Sequence, residues 1–286
     1  MPELPEVETV VRTLRPLLCG RLIVGVRTSG LPLRQPWDPA WAAAFRRGRR
    51  VVSLRRRGKW ILAELSRGAT LVFHLGMTGR LQVVPAAQPL EPHTHLVFPL
   101  RPGGCELRFH DPRRFGAVGL YRPAELKAFF ADRLGADPFR VSVDWLFAQL
   151  QKTDRCLKAV LLDQQVLAGV GNIYADESLF AARLHPARPG ASVTRREAGR
   201  LRRALVQVLR RAIAQNGSTI RDYLYGENGR GSYQNEFRVY AQTGRPCRRC
   251  RTPIVQVRLA GRSTHFCPTC QPAQAPGKRR QAAGRR

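Results

Sequence analysis

The sequence is poor in acidic residues and lacks segments for export or membrane insertion. Asp and Glu number 20 among 286 residues, against 49 Lys and Arg, which gives a formal net charge of +29. No basic segment precedes an apolar run at the N-terminus, and no apolar run reaches the roughly 20 residues of a membrane-spanning helix. These absences argue against a secreted or integral membrane protein, so we expect a soluble, cytoplasmic one. An internal repeat is also missing, and the length predicts one large or two modest domains.

The excess of positive charge is the strongest compositional signal. Such a surface repels itself unless a partner neutralises it, and release of phosphate counterions drives the binding of basic proteins to polyanions. Nucleic acid is therefore the favoured partner. A basic protein without a polyanionic partner is the alternative, and a membrane surface is disfavoured because no long basic amphipathic helix stands alone.

The cysteines indicate a metal site rather than disulfides. Of seven Cys, four form the pattern C-x2-C-x16-C-x2-C at Cys247, Cys250, Cys267 and Cys270. Two thiolate pairs at this spacing can close a tetrahedral zinc site, and four sulfur ligands leave no open position for catalysis. We therefore predict one structural zinc ion. The other three lie in apolar surroundings and are expected to be buried thiols: Cys19, Cys105 and Cys156.

Periodicity predicts an α+β, multi-domain protein. A helical face from Val7 to Leu18, which includes Leu17, is closed by Gly20, and short β-rich runs follow over about 22–121. These runs read as antiparallel hairpins of a β-sandwich or barrel. Residues 145–216 read as nearly all helix, and the segment between the cysteine pairs reads as a β-hairpin.

The opening stretch "MPELPEVETVV" admits two interpretations. Pro at a helix start and Glu in the first turn are good helix chemistry. Alternatively, removal of Met1 would leave a secondary amine at Pro2, and the positive end of the helix would lower the pKa of that amine. An unprotonated amine can attack a sugar C1′, with Glu3 beside it to carry protons. Locally, the structural interpretation is favoured.

Two further segments invite a phosphate-binding interpretation. The turn "AGVGN" separates two helical stretches and places Asn172 at a helix start, where free N–H groups attract anions. A plain N-cap is the alternative. The cysteine hairpin also carries Arg262 and His265. Either both are solvated charges on a basic module, or the hairpin presents Arg262 to DNA phosphate, and spacing does not separate these options.

Several motifs in one order resemble the bacterial formamidopyrimidine-DNA glycosylases, which act on 8-oxoguanine and are also AP lyases. The motifs are "MPELPEVETV", "RRRGKWILAEL", "HLGMTG", "DPRRFG", "GVGNIYADESLFAA" and the four-cysteine finger. The match runs from Pro2 to about Gln271. The start "PELPE" looks like this family rather than endonuclease VIII, which typically has "PEGPE".

The resemblance implies a bifunctional enzyme acting on double-stranded DNA with oxidised bases or abasic sites, as a monomer in the bacterial cytoplasm at the nucleoid. It assigns the nucleophile to Pro2, acid/base catalysis to Glu3, proton donation in β-elimination to Lys59, and δ-elimination to Arg262. His93, Arg113, Lys152 and Asn172 match DNA-contacting positions. Met77, Arg113 and Phe115 match the residues that fill the void left by a flipped nucleotide.

The resemblance also implies four parts of the chain. These are a catalytic β-sandwich with a leading helix (1–135), a helix-two-turn-helix domain (136–237) with a lesion-capping loop (217–237), a zinc finger (238–272) and a disordered basic tail (273–286). Two alternative functions remain. One is an endonuclease VIII-like glycosylase for oxidised pyrimidines, and the other is a non-catalytic zinc-finger protein that binds damaged DNA.

Overall fold

The computed structural model describes residues 1–219 and 229–273, which form two compact units. The first unit contains 1–141, 163–171 and the described residues of 206–236. The second contains 142–162, 172–205 and the described residues from 237 onward. In the part of the chain that is described, no helix has both the length and the apolar character to cross a membrane.

Most of the strands lie between the first helix and the other helices along the chain. The strands are β1 (Leu22–Ile23), β2 (Arg27–Thr28), β3 (Arg49–Arg57), β4 (Trp60–Leu65), β5 (Ala69–His74), β6 (Arg80–Pro85), β7 (Thr94–Arg101), β8 (Cys105–His110), β9 (Ala117–Tyr121), β10 (Val255–Leu259) and β11 (Arg262–Phe266). The α-helices are α1 (Leu4–Leu18), α2 (Pro123–Ala131), α3 (Val143–Gln151), α4 (Leu157–Leu162), α5 (Asn172–Ala182) and α6 (Arg195–Ala214).

The first unit is built on an antiparallel sheet that closes around an apolar core. Its strands follow the order β6-β8-β7-β1-β3-β4-β5-β9, and β2 pairs with β7. Strands from the two ends of this path meet in the core, because the ring of Phe73 on β5 lies 6.0 Å from that of Phe98 on β7. The predicted β-sandwich is therefore confirmed.

Helix α1 closes this core with the apolar face that the sequence predicts. Val7, Val11 and Leu14 are at most 1% exposed and pack in the same cluster as the sandwich strands. Leu17, which the sequence analysis places on that face, is instead 38% exposed. The face continues from Leu14 to Leu18, four residues on, so Leu17 points away from the core.

The second unit joins helices to the cysteine hairpin. The predicted helical region 145–216 consists of separate helices, with the "AGVGN" turn between α4 and α5. Strands β10 and β11 pair antiparallel, which confirms the predicted hairpin. Their two-residue turn, Ala260–Gly261, has positive φ at both positions, the conformation that matches the twist of a hairpin. Arg262 follows this turn directly and is exposed.

Candidate active site

The N-terminal segment is buried at the start of α1. Glu3 is 4% exposed and Pro2 is also buried, whereas Met1 is 55% exposed. The carboxylate of Glu6 is 2% exposed and joins two segments of the first unit. Its Oε2 accepts the backbone N–H of Glu3 at 2.8 Å, and its Oε1 accepts that of Ser218 at 2.7 Å. Glu6 therefore fixes the Pro2–Glu3 segment to the residues that open the loop at 217–237.

The glycine turn before α5 packs directly on this segment. The N–H of Leu4 donates to the carbonyl oxygen of Gly169 at 3.0 Å. A Cβ at Gly171 would lie 2.3 Å from Cδ of Glu3, a distance that no side chain tolerates. The turn that the sequence predicts to approach an anion thus contacts the carboxyl group of Glu3. A larger residue at this position would displace the buried carboxyl group of Glu3.

Lys59 belongs to a turn that contacts the same glycine segment. Its neighbour Gly58 lies so close that an added Cβ would be 3.2 Å from Cβ of Ala168. Lys59 itself is only 6% exposed. Because Lys59 follows Gly58 in the β3–β4 turn, this turn and the Glu3 segment pack against one stretch of chain, 168–171.

The electrostatic effect of Lys59 extends to His74 at the end of β5. Burial, and then the positive charges of Lys59 and Arg34, lower the pKa of His74 to about 4. The imidazole is therefore neutral at neutral pH. Its Nδ1 accepts the backbone N–H of Gly76 at 3.1 Å, which fixes the turn after β5.

Two neighbouring loops expose large apolar side chains. Met77 follows β5 and is 42% exposed, and Phe115 precedes β9 and is 43% exposed. The loops are adjacent because His74 and Ala117 are partners in the β5–β9 ladder. The guanidinium of Arg113 lies 4.7 Å from the centre of the Phe115 ring, a cation–π contact.

His93 lies beside the second of these loops. It is exposed and has a positive φ of 66°. Its carbonyl oxygen accepts the backbone N–H of Asp111 at 3.0 Å. The structure thus brings together, in the first unit, the four residues predicted to contact DNA from the sandwich: Met77, His93, Arg113 and Phe115.

In the second unit, Asn172 is tied to the cysteine hairpin. It is the first residue of α5, and its Nδ2 donates to the carbonyl oxygen of Ser263 at 3.0 Å. Its Oδ1 is buried and has no hydrogen-bond partner among the described residues. Ser263 follows Arg262, so Asn172 and Arg262 occupy neighbouring positions in this unit.

A buried ion pair attaches β11 to α5. Lys158, which is 0% exposed, forms a short contact with Asp176 and also donates to the carbonyl oxygen of Asn172 at 3.0 Å. The other oxygen of Asp176 accepts from the backbone N–H and from Nδ1 of His265, each at 3.0 Å. His265 therefore has a structural role, and only Arg262 of the two hairpin residues faces solvent.

The four cysteines are arranged as a metal site. Their sulfur atoms all lie within 4.8 Å of one another. Cys250 Sγ is 3.4 Å from that of Cys267 and 3.5 Å from that of Cys270. A tetrahedral zinc ion with Zn–S bonds of about 2.3 Å places its ligands about 3.8 Å apart, so the cluster fits one zinc. Backbone N–H groups of Arg249 and Cys270 point at two of the sulfurs, as in a thiolate site.

Comparison with known families accounts for nearly the whole chain. The formamidopyrimidine-DNA glycosylase N-terminal domain matches residues 1–118, the H2TH domain of the same enzymes matches 134–223, and a zinc finger found in FPG and IleRS matches 244–273. The formamidopyrimidine-DNA glycosylase of Geobacillus kaustophilus is 45% identical over 95% of this chain and 100% of its own length. The chain belongs to the formamidopyrimidine-DNA glycosylase family. The enzyme of Moorella thermoacetica is 49% identical over 90% of this chain and 95% of its own.

Solved structures of formamidopyrimidine-DNA glycosylases share the fold. The MutM (Fpg) protein of Thermus thermophilus superposes with a TM-score of 0.84 at 43% identity, covering 94% of this chain and 98% of its own. A Lactococcus lactis Fpg mutant, solved with Fapy-dG-containing DNA, gives 0.87 at 32% identity, covering 95% and 100%. The predicted fold class and the structural zinc are confirmed as properties of the family.

The remaining predicted positions are distributed over both units. Lys152 is exposed at the C-terminal end of α3, which belongs to the second unit. It follows the sandwich strands β1–β9 in the sequence. Of the predicted lesion-capping loop 217–237, residues 220–228 lie outside the described residues. The predicted basic tail 273–286 also lies outside them from residue 274 onward.

Sequence reasoning missed the polar residues that support the formamidopyrimidine-DNA glycosylase site. Glu6, Thr78, Asp111 and Asp176 are all within quoted motifs but were assigned no role. Only Glu6 had a usable signal, because a carboxylate three residues after a helix N-cap often accepts the N-cap N–H. The partners of the other three are distant in sequence, so no spacing rule identifies them.

Replacement of Glu6 by Gln is expected to destabilise the fold. Glu6 accepts two backbone N–H groups, those of Glu3 and Ser218. In the glutamine variant one of these buried donors would face the side-chain NH2 group and would lose its acceptor. We expect a loss of about 1–3 kcal/mol in the free energy of unfolding, measured by urea denaturation. Glu125→Gln is the matched control, because Glu125 caps α2 in the same way at 2.7 Å but is exposed. Equal effects of the two substitutions would contradict the proposed joining role of Glu6.

Proposed function

We propose that this chain is a bifunctional DNA glycosylase and AP lyase of base excision repair, which removes oxidised purines such as 8-oxoguanine and formamidopyrimidines. The observation that carries the proposal is the buried Pro2–Glu3 segment, packed with the Lys59 turn against residues 168–171. Relatives solved with Fapy-dG DNA and with abasic-site DNA support the substrate class.

The chemistry begins with the amine of Pro2, freed by removal of the exposed Met1. Its nitrogen lone pair attacks C1′ of the damaged nucleotide while the C1′–N bond to the base breaks, and the base leaves with that electron pair and takes up a proton. The attacking amine loses its one N–H proton, and opening of the sugar ring then breaks the C1′–O4′ bond, so that O4′ takes up a proton and an iminium ion forms between Pro2 and C1′. Glu3 carries the protons of this step, because it follows Pro2 directly in the chain and is buried with it.

Strand cleavage follows from the electron-withdrawing iminium. Loss of a proton from C2′ expels the 3′ phosphate by β-elimination, with Lys59 as proton donor. A second elimination, assisted by Arg262, removes the proton of C4′ and breaks the C5′–O bond, so that the 5′ phosphate leaves with that electron pair. Asn172, Lys152 and His93 contact the DNA backbone. Asn172 has one N–H of its amide engaged with Ser263, which leaves the other for a phosphate oxygen.

Base flipping precedes this chemistry, because C1′ is inaccessible while the nucleotide remains stacked. Met77, Arg113 and Phe115, called the wedge residues below, fill the space that the nucleotide leaves. Their exposure supports this role, since a thioether and an aromatic ring on the surface gain burial only in a complex. Insertion of such side chains kinks the duplex from its minor-groove side.

The proposal keeps the predicted organisation of the chain. It comprises a catalytic domain (1–135), a helix-two-turn-helix domain (136–237), a finger (238–272) and a basic tail (273–286). The zinc ion is structural, because all four ligand positions are cysteines. Since the substrate is chromosomal DNA and the named relatives are bacterial, the proposed location is the bacterial cytoplasm at the nucleoid.

The purine preference is tested by comparing two lesions in one sequence. We expect faster excision of 8-oxoguanine opposite cytosine than of thymine glycol opposite adenine, measured by single-turnover strand cleavage. Faster release of thymine glycol would favour an endonuclease VIII-like enzyme. Binding without release of either base would favour a non-catalytic damaged-DNA-binding protein.

A further inference from the structure

The two loops that carry the wedge residues are joined by a polar contact that the chemistry of excision does not use. Asp111 is 0% exposed and lies at the start of the second loop. Its Oδ1 accepts the hydroxyl of Thr78 at 2.6 Å, and its Oδ2 accepts the backbone N–H of Gly116 at 2.7 Å. One carboxylate thus binds the residue next to Met77 and the residue next to Phe115.

The Thr78 hydroxyl connects the loops a second time. It accepts the backbone N–H of Arg113 at 3.4 Å while it donates to Asp111. The backbones also touch, because a Cβ at Gly76 would lie 2.5 Å from the carbonyl carbon of Phe115. The held positions are therefore Arg113 itself and the direct neighbours of Met77 and Phe115 in the chain.

The backbone of Asp111 is held by hydrogen bonds as well. The N–H of Asp111 donates to the carbonyl oxygen of His93 at 3.0 Å, and its own carbonyl oxygen is 3.0 Å from Nε2 of the buried His95. Nδ1 of His95 lies 2.9 Å from the Ser29 hydroxyl. Asp111 therefore cannot shift without breaking several hydrogen bonds, which makes it a rigid reference point for both loops.

We propose that Thr78 and Asp111 are positioning residues that hold Met77, Arg113 and Phe115 as one preassembled wedge. The inference rests on the proposed function, because it specifies how the wedge residues are presented to a duplex. Loops already held in place lose little conformational freedom when the wedge residues insert, so the contact lowers the cost of opening the stack. Neither Thr78 nor Asp111 touches the reacting atoms in this proposal.

The test uses two substrates that differ in their need for a wedge. One is a duplex with 8-oxoguanine opposite cytosine. The other is a single-stranded oligonucleotide of the same sequence with a preformed abasic site, which requires the amine but no opened stack. For Thr78→Val, which keeps the shape and removes both hydrogen bonds of the hydroxyl, we expect duplex excision to fall about tenfold. Most of this effect comes from the bond to the charged carboxylate, because the 3.4 Å bond from Arg113 is weak. Cleavage of the single strand should stay at the wild-type rate.

Controls separate positioning from folding. Thr78→Ser retains the hydroxyl and should restore duplex excision, and Thr70→Val alters a buried threonine at the other end of β5 without contact to the wedge. Met77→Ala should show the same selective loss, and combining it with Thr78→Val should add little, since both changes act on one feature. If Thr78→Val does not fold, Asp111→Asn provides the same comparison.

Two results would overturn the inference while leaving the proposed function intact. One is an equal fall on both substrates, which would indicate a general structural role. The other is wild-type excision from the duplex by Thr78→Val. Failure of the wild-type protein to release 8-oxoguanine at all would instead overturn the proposed function.

Discussion

Borohydride is expected to trap a covalent complex between this protein and a duplex that carries 8-oxoguanine opposite cytosine. The iminium that joins Pro2 to C1′ is reduced to a stable amine, which denaturing electrophoresis detects. Pro2→Gly should lower the rate of trapping by roughly 100-fold, the cost of misplacing a reacting group by about 1 Å. The reason is that glycine provides an amine without the ring that fixes its position at the start of α1.

A second substitution distinguishes the amine from the other catalytic groups. Lys59→Ala should still trap the complex but cleave the strand slowly, because the step proposed for Lys59 follows formation of the covalent bond. Trapping by Pro2→Gly at the wild-type rate would refute the nucleophile assignment.

Mass spectrometry of the wild-type protein should find Pro2 at the N-terminus. A chain that keeps Met1 yet traps DNA would also refute the assignment of Pro2 as the nucleophile.

Loss of the zinc site is expected to have the other large effect. Structural zinc contributes about 10–16 kcal/mol to the folding of small cysteine modules, so removal of one ligand should unfold the β10–β11 hairpin. For Cys247→Ser we expect no bound zinc and a fall of about tenfold or more in duplex affinity, since the hairpin that carries Arg262, proposed to act at the phosphates, is lost. Metal analysis and fluorescence anisotropy with a labelled duplex measure these two quantities.

Cys156→Ser is the matched control for this experiment. Cys156 lies in the same unit and is outside the four-cysteine cluster. The expectation that Cys19, Cys105 and Cys156 are buried is wrong, because all three are only partly buried. Substitution of Cys156 should leave zinc content and affinity unchanged. A zinc-free Cys247→Ser protein with wild-type affinity and activity would show that the finger is dispensable for DNA binding.

Much of this protein is determined by short-range sequence patterns. The helix that opens the chain, the hairpins of the sandwich and the cysteine spacing each depend on a single short stretch of sequence, and all three are confirmed in the structure. Leu17 is the exception, because periodicity alone did not decide where the apolar face ends. The quoted motifs also sufficed to identify the family, although the roles of individual site residues stay predictions.

What only the tertiary structure decided is how these residues are held. Glu3 reaches Gly171 across the chain, Glu6 reaches Ser218, and Thr78 reaches Asp111. Each contact joins segments between about thirty and more than two hundred positions apart, and no local pattern encodes such a pairing. The sequence by itself therefore determined the element types, the zinc ligands and the family. The fold decided which carboxylates support the Pro2–Glu3 segment and the loops of Met77 and Phe115, because burial and hydrogen-bond geometry exist only after distant segments meet.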